Sequence, residues 1–353
     1  NGKYQPNSVL PSEKEICERF KVSRTSVRNA LKAMQEKGYI DRRQGSGSFV
    51  LEQKTNSING IINLGIILNQ NPNHPASAIT GSAYFSTILN GIQSSASAFR
   101  ANPSMFIYDD TRKITERDFP GYRIDGYLDI GNTISPNLNQ YFKEHKCKVC
   151  SIFNSFHEHE YKYDWPVVIN DYLSGVRDAV KYYKSLGIVK FGFFAVAKMG
   201  VTTFDQFRKI LREEGVDFDL DSVVLYPDTN AQLSYMRERA EYFYNKLFAA
   251  NNRPEVLFSD GFFIVDELMR LLNESEQGKE ILKEIHLCGI TDPRVEKISY
   301  PEKTDLVVPS REKAAVMATE ILVRSIRHGT PGPGYRTYAP SKFFTAGTYK
   351  HEE

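Results

Sequence analysis

Arg24, Thr25 and Arg28 share little more than one helical turn of the stretch VSRTSVRNALKAM, residues 22–34. Guanidinium and hydroxyl groups at that density offer donors to phosphate oxygens and to guanine edges. Ser23 is placed to cap the start of the same helix, where free backbone N–H groups also favour anions. The apolar residues Val27, Ala30, Leu31 and Met34 fall at i, i+3, i+4 and i+7, so that face is expected to be buried, leaving Arg24, Thr25, Arg28, Lys32 and Gln35 outward. A solvated charged face carries the same pattern, so the neighbouring sequence must decide.

Three other spacings suggest chemistry. His157-Glu158-His159-Glu160 would place two histidines on one side of a strand, but no third ligand lies nearby in sequence, and the segment reads as a loop without metal. Cys147 and Cys150 lie in the apolar run CKVCSIF, where a strand turns their sulfurs to opposite faces; with Cys17 and Cys288 they read as core thiols. Gly45 and Gly47 form a G-x-G between two strands, whereas a phosphate-cradling loop must open a helix. They are expected at a hairpin tip, with Arg42, Arg43 and Gln44 positioned there to reach a minor groove or phosphates.

These groups need elements to hold them. LPSEKEICERF starts with Ser12 three residues ahead of Glu15, the pattern of a capping box, and predicts a helix buried through Ile16 and Phe20. KVS then turns the chain into the helix that begins at Ser23. Residues 39–42 and 48–50 are two short β-prone runs joined by a glycine-containing turn. Helix, turn, helix and hairpin make a winged helix-turn-helix, whose second helix enters the major groove.

Charge supports that reading. Residues 1–50 hold ten Lys and Arg against five Asp and Glu, while residues 51–353 hold 35 against 38, so a net charge of +2 conceals a basic head on a mildly acidic body. That asymmetry suits a nucleic-acid-binding module joined to a domain with another task. With 353 residues, 41% hydrophobic and 25% charged, the chain is ordinary globular protein of two or three units. It contains no apolar run of membrane-spanning length and no signal-peptide pattern, so the expected compartment is the cytoplasm, without a membrane partner.

The segment from Leu10 to Val50 resembles the winged-helix domain of the GntR family almost residue for residue. The resemblance implies operator contacts from Lys14 on the first of these helices, from Ser23, Arg24, Thr25, Ser26 and Arg28 on the recognition helix, and from Gln44 and Gly45 on the wing beside Arg43. It also implies a helix ahead of NGKYQPNSV, so a head truncated at that helix is expected. The domains are read as 1–50 for the head, 51–60 for a polar linker and 61–353 for the body.

In the body, apolar runs such as INLGIIL, GYLDIG, VVIND, FGFFAV, VLFSD, IHLCGI and DLVVP alternate with helical segments near 82–100, 135–145, 172–187, 203–214, 231–250, 261–274 and 310–328. Such alternation predicts an α/β fold with parallel sheets covered on both faces. The order of RIDGYLDIG, VVINDYLSGVRDAVKYYKSLGIVKFGFF, LFSDGFFIVDELMRLL, LCGITDP and VVPSREKAAVMATEIL resembles the two-subdomain, periplasmic-binding-protein-like (type I) effector domain of LacI-family repressors. With a GntR head, the combination is similar to the arabinose-repressor subgroup.

That resemblance implies a sugar or sugar-derived effector held between the halves, at the carboxyl ends of the strands. Asp260 occupies the family's hydroxyl-binding aspartate position; capping the following helix is its competing role. Asn69, Tyr84, Phe85 and Asp110 are further expected contacts, with core packing the alternative for Tyr84 and Phe85. Thr203 stands where family members carry an arginine, which argues against a charged effector held there. Asp171 matches a position that orders structure, and it is left outside the site. The expectation is a homodimeric repressor of double-stranded operator DNA, released by a small-molecule effector, with no catalytic residue and no cofactor. The competing expectation is a GntR head fused to a pyridoxal-phosphate aminotransferase, which requires a Schiff-base lysine that no segment presents.

Overall fold

The computed structural model describes residues 8–36, 40–43, 47–50, 60–69, 83–108, 124–130, 136–155, 163–216, 218, 220–226, 236–248, 253–259, 262–294, 298–329, 331 and 334–349. Contacts divide the chain into two compact units, Asn1–Ile61 and Ile62–Glu353.

In the first unit, helix α1 (Glu13–Phe20) starts on a complete capping box. The Ser12 N–H donates to Glu15 Oε2 at 2.7 Å, and the Glu15 N–H donates back to Ser12 Oγ at 3.3 Å. Lys21 closes the helix in the left-handed region, at φ 55°. Helix α2 (Arg24–Glu36) follows, and then strands β1 (Ile40–Arg43) and β2 (Gly47–Val50) pair antiparallel, Arg43 opposite Gly47. Val27, Leu31 and Ile40 form the core, with Leu10, Ile16 and Cys17 against it.

The core is smaller than the apolar spacing predicts. Phe20 is 63% exposed and Met34 38% exposed, and Ala30 is exposed as well. Two helices crossing at a short turn can bury only the residues nearest the crossing, and Phe20 and Met34 lie away from it, along an apolar groove with Leu10 and Val22.

The second unit contains two six-stranded sheets. The first has strands β3 (Ile62–Asn69), β4 (Ala101–Tyr108), β5 (Gly126–Ile130), β6 (Val149–Asn154), β7 (Val167–Asp171) and β13 (Arg336–Pro340), in the order β13-β7-β6-β5-β3-β4. The second has β8 (Phe191–Val196), β9 (Val223–Tyr226), β10 (Val256–Ser259), β11 (His286–Ile290), β12 (Thr304–Val308) and β14 (Lys342–Phe344), in the order β14-β12-β11-β10-β8-β9. All pairings are parallel except β12 with β14. The α/β class with parallel sheets is therefore as the alternation predicts.

Both faces of each sheet are covered. Helices α3 (Ala83–Ala98) and α10 (Arg311–His328) bury Leu64, Ile66, Leu128, Ile152 and Val168 on one face of the first sheet, and α4 (Pro136–Glu144) covers the other. On the second sheet, α5 (Tyr172–Ser185) and α6 (Ala197–Glu213) pack on one face; α7 (Met236–Phe248), α8 (Phe262–Asn273) and α9 (Glu276–Glu284) pack on the other. Helix α6 starts earlier than the 203–214 of the apolar pattern, and α9, β13 and β14 are elements that pattern does not announce.

The topology makes a hinge. Among the described residues the chain passes between the halves after β7, after β12 and after β13, each time at the carboxyl end of a strand. Hydrogen bonds tie these crossings together. Ser310 Oγ donates to the Pro340 carbonyl at 2.5 Å, Ser341 N–H donates to the Asp171 carbonyl at 2.9 Å, and Gly175 N–H donates to Ser341 Oγ at 2.8 Å. A Cβ on Gly175 would stand 2.6 Å from Ser341 Oγ, so the crossing needs a glycine there.

Candidate functional site

The head presents its donors on one exposed helix start. Ser26 N–H donates to Ser23 Oγ at 3.1 Å, and the two hydroxyls lie 2.9 Å apart, so Ser23 satisfies a first-turn N–H as an N-cap does. Arg24, Thr25, Ser26 and Arg28 are all exposed around it. Arg28 is held across the turn: its Nε donates to Glu13 Oε2 at 2.8 Å, leaving the outer edge of the guanidinium for another acceptor. Lys14 is 74% exposed, 3.9 Å from Glu18, a pair weak enough to yield to a phosphate. Gln44 and Gly45 lie outside the described residues, as does the Arg43 side chain; only the Arg43 backbone is placed, at the end of β1.

The expected effector contacts divide differently. Phe85 is fully buried, packed on α3 in the core of the first half. A helix facing a sheet turns one stripe inward, and Phe85 falls on that stripe with Ile88 and Ile92, in the core packing that was its alternative role. Thr203 is 4% exposed on α6. Asn69 ends β3, with its side chain outside the described part, and so is that of Tyr84 on α3; Asp110 and Asp260 lie outside altogether, as do His157 and His159.

What the structure does bring to the carboxyl ends is a set of buried polar groups. Asn154 and Asn170 are direct neighbours in register on β6 and β7. Asn170 is fully buried, and neither its amide nitrogen nor its amide oxygen has a hydrogen-bond partner among the described residues. Leaving such an amide unpaired costs about 1–3 kcal/mol, which a ligand with hydroxyls would offset. On the second sheet, Ser259 ends β10 at 1% exposure, immediately before Asp260. Asn170 carries a signal in the sequence, a polar residue interrupting the apolar end of VVIND. Asp171 itself caps α5, accepting from Leu173 and Ser174 N–H at 3.0 and 3.2 Å, a structural task as expected.

Beyond β11, the buried Asp292 carboxylate accepts from Arg294 Nη2 at 2.7 Å and Nε at 2.9 Å, while Arg294 Nη1 donates to Glu312 Oε2 on α10 at 3.0 Å. The carboxylate bonds hold the guanidinium pKa above its usual value. Arg294 thus links the second sheet to a helix of the first half. Burial pushes the Cys147 thiol up to about 11 and raises those of Cys150 and Cys288 too, which keeps thiolate scarce at these three. No group of three metal-ligating side chains is present among the described residues, and no described helix is long and apolar enough to cross a membrane.

Comparison with known proteins fits both units. Residues 1–50 match the family of bacterial regulatory proteins named gntR. The uncharacterized HTH-type transcriptional regulator YurK of Bacillus subtilis (strain 168) is 36% identical over 77 residues, which are 21% of this chain and 32% of that protein. The HTH-type transcriptional repressor NagR of the same organism is 44% identical over 54 residues, 15% of this chain and 22% of NagR. The chain therefore spans a third or less of these relatives. Among solved structures, a transcriptional regulator CelR-cellobiose complex superposes with a TM-score of 0.59 at 14% identity, covering 96% of this chain and 100% of that one. A putative transcriptional regulator LacI from Bacillus cereus subsp. cytotoxis NVH 391-98 gives 0.58 at 15% identity, over 82% and 99%. The head is a gntR-type winged helix-turn-helix, and the body has the fold of LacI-type regulators.

Proposed function

We propose that this chain is a sequence-specific transcription regulator, a repressor that a sugar or sugar derivative releases from its operator. One observation carries the reading: a gntR-type head with an exposed, donor-rich recognition helix is joined to a two-sheet body whose strand ends hold buried polar groups around a hinge. Hydroxyl-rich ligands suit such a site, because buried hydroxyls must be paired. Binding of a sugar to both halves shifts the population toward one hinge angle, and a two-fold dimer transmits the change to its pair of heads. The proposal includes the homodimer, a pseudo-palindromic operator, a cytoplasmic location and the arabinose-repressor subgroup. The LacI-type fold of the body disfavours the aminotransferase alternative.

A thermal-shift screen of pentoses, hexoses, disaccharides and sugar phosphates tests the reading, since a ligand at 100 times its Kd adds about 2.7 kcal/mol to native stability. At least one sugar should raise the unfolding temperature. Asp260→Ala should then weaken that sugar about 5- to 150-fold, the equivalent of about 1–3 kcal/mol for a lost buried hydrogen-bond acceptor. Calorimetric titration of both proteins gives the answer; equal affinities would leave Asp260 as a helix cap only.

A further inference from the structure

The first half of the body carries an exposed face with almost no charge. From Ile61 to Tyr108, Arg100 alone is a Lys, Arg, Asp or Glu, although such residues make up 25% of the sequence. Burial accounts for part of this: β3 lies inside the first sheet, and Phe85, Ile88 and Ile92 of α3 pack in its core. Burial does not account for the outer surface. Ser86, Asn90, Gln93 and Ser97 are exposed at i, i+4, i+7 and i+11, one uncharged stripe along α3. A surface helix ordinarily turns charged and polar residues to solvent.

Strand β4 supplies the apolar part of this face. It is an end strand of its sheet among the described residues, and α3 packs against it. Met105 is 43% exposed and Ile107 51%. Alternation along the strand puts both with Ala101 on the side that α3 covers, while Phe106 and Tyr108 turn to the α4 side. Helix stripe and strand side chains therefore lie on one side of the sheet, uncharged, with two large apolar groups among them. Charge depletion with methionine present is the composition of an interface core. Charge also decides the occupant. Nucleic acid requires cations, which the stripe and β4 lack. A protein partner that docks by charge finds nothing here to pair with. A second copy brings the same face, and an uncharged face is one that sets no like charges against itself across a two-fold axis.

We propose that the surface formed by α3 and β4 is where a second copy of this chain docks. The proposal rests on the homodimer of the function proposed above and gives that dimer its contact residues: Asn90 and Gln93 on the helix, Met105 and Ile107 on the strand.

Analytical ultracentrifugation of the full chain over a micromolar concentration series tests it. Wild type should sediment as a dimer. Met105→Glu/Ile107→Glu should raise the dimer Kd at least tenfold. Asn90→Glu/Gln93→Glu should do the same with unchanged far-UV circular dichroism, since both side chains are exposed and their replacement leaves the core untouched. Leu186→Glu/Val189→Glu is the control: these residues, between α5 and β8, are 53% and 66% exposed, and the dimer Kd should not change. A dimer that tolerates Asn90→Glu/Gln93→Glu, or that the control weakens as much, would overturn the proposal and leave the regulator reading standing. A wild-type monomer would overturn both this surface and the homodimer, while the sugar screen reports on effector binding independently.

Discussion

Replacing Arg24 and Arg28 together by alanine should remove specific operator binding while leaving the fold intact. Both side chains are exposed, so their loss opens no cavity in the core formed by Val27, Leu31 and Ile40. They lie four residues apart on α2 and so share one face of the helix. Each arginine that reads a base contributes about 1–3 kcal/mol, so losing both reduces affinity by roughly 25-fold or more. The Glu13 bond that orients Arg28 is a surface ion pair, worth about 0–1 kcal/mol to stability, and its loss does not unfold the head. Fluorescence anisotropy on an operator selected from random DNA, with scrambled DNA beside it, checks this. Unchanged operator affinity would remove α2 from the DNA interface.

Gly91→Val should be the most damaging substitution in the body. Helices α3 and α10 approach so closely that a Cβ on Gly91 would stand 2.4 Å from the Glu312 carbonyl oxygen and 2.8 Å from Ala315 Cβ. The first of these is backbone, which no rotamer change can move aside. Gly91→Ala gains about 1 kcal/mol in helix propensity, but overpacking costs about 1–3 kcal/mol, so even alanine is destabilising on balance. Valine adds methyl groups and a stiff χ1, and its cost is larger. Displacing α10 also moves Ser310 and the crossing it ties to Pro340. Thermal unfolding should show a drop of several degrees for alanine and a larger one for valine. A valine variant as stable as wild type would mean that the two helices do not meet at Gly91.

The parts of the fold that were legible in the sequence are those set by local chemistry. Ser12 and Glu15 announce their capping box, and the glycines near 45–47 agree with the pairing of β1 and β2. Apolar runs such as VVIND become buried parallel strands because both faces are covered by helices. What depends on distant partners was not legible. RTYAP and KFF are short and only partly apolar, yet they become β13 and β14 because β7 and β12 leave edges for them to pair with. Phe20 and Phe85 are the same residue type on similarly spaced helices, but one is exposed and the other lies at the centre of a core. Ser341 gives no local signal, and its hydroxyl is the knot of the hinge only because residues some 166 positions apart meet there. The same holds for Asn170: its burial without a partner is a property of the packed sheet, not of the string VVIND.

In the proposed function, occupation of the body controls DNA binding by the head. The direct measurement is the affinity of the full chain for its selected operator, titrated with and without the sugar that raises its unfolding temperature most. The account predicts that saturating sugar weakens operator binding by orders of magnitude, since moving a two-state equilibrium from mostly bound to mostly released takes about a 10⁴-fold difference in ligand affinity between the states. Binding to scrambled DNA should change little. An operator affinity that stays the same while the sugar is demonstrably bound would contradict the account.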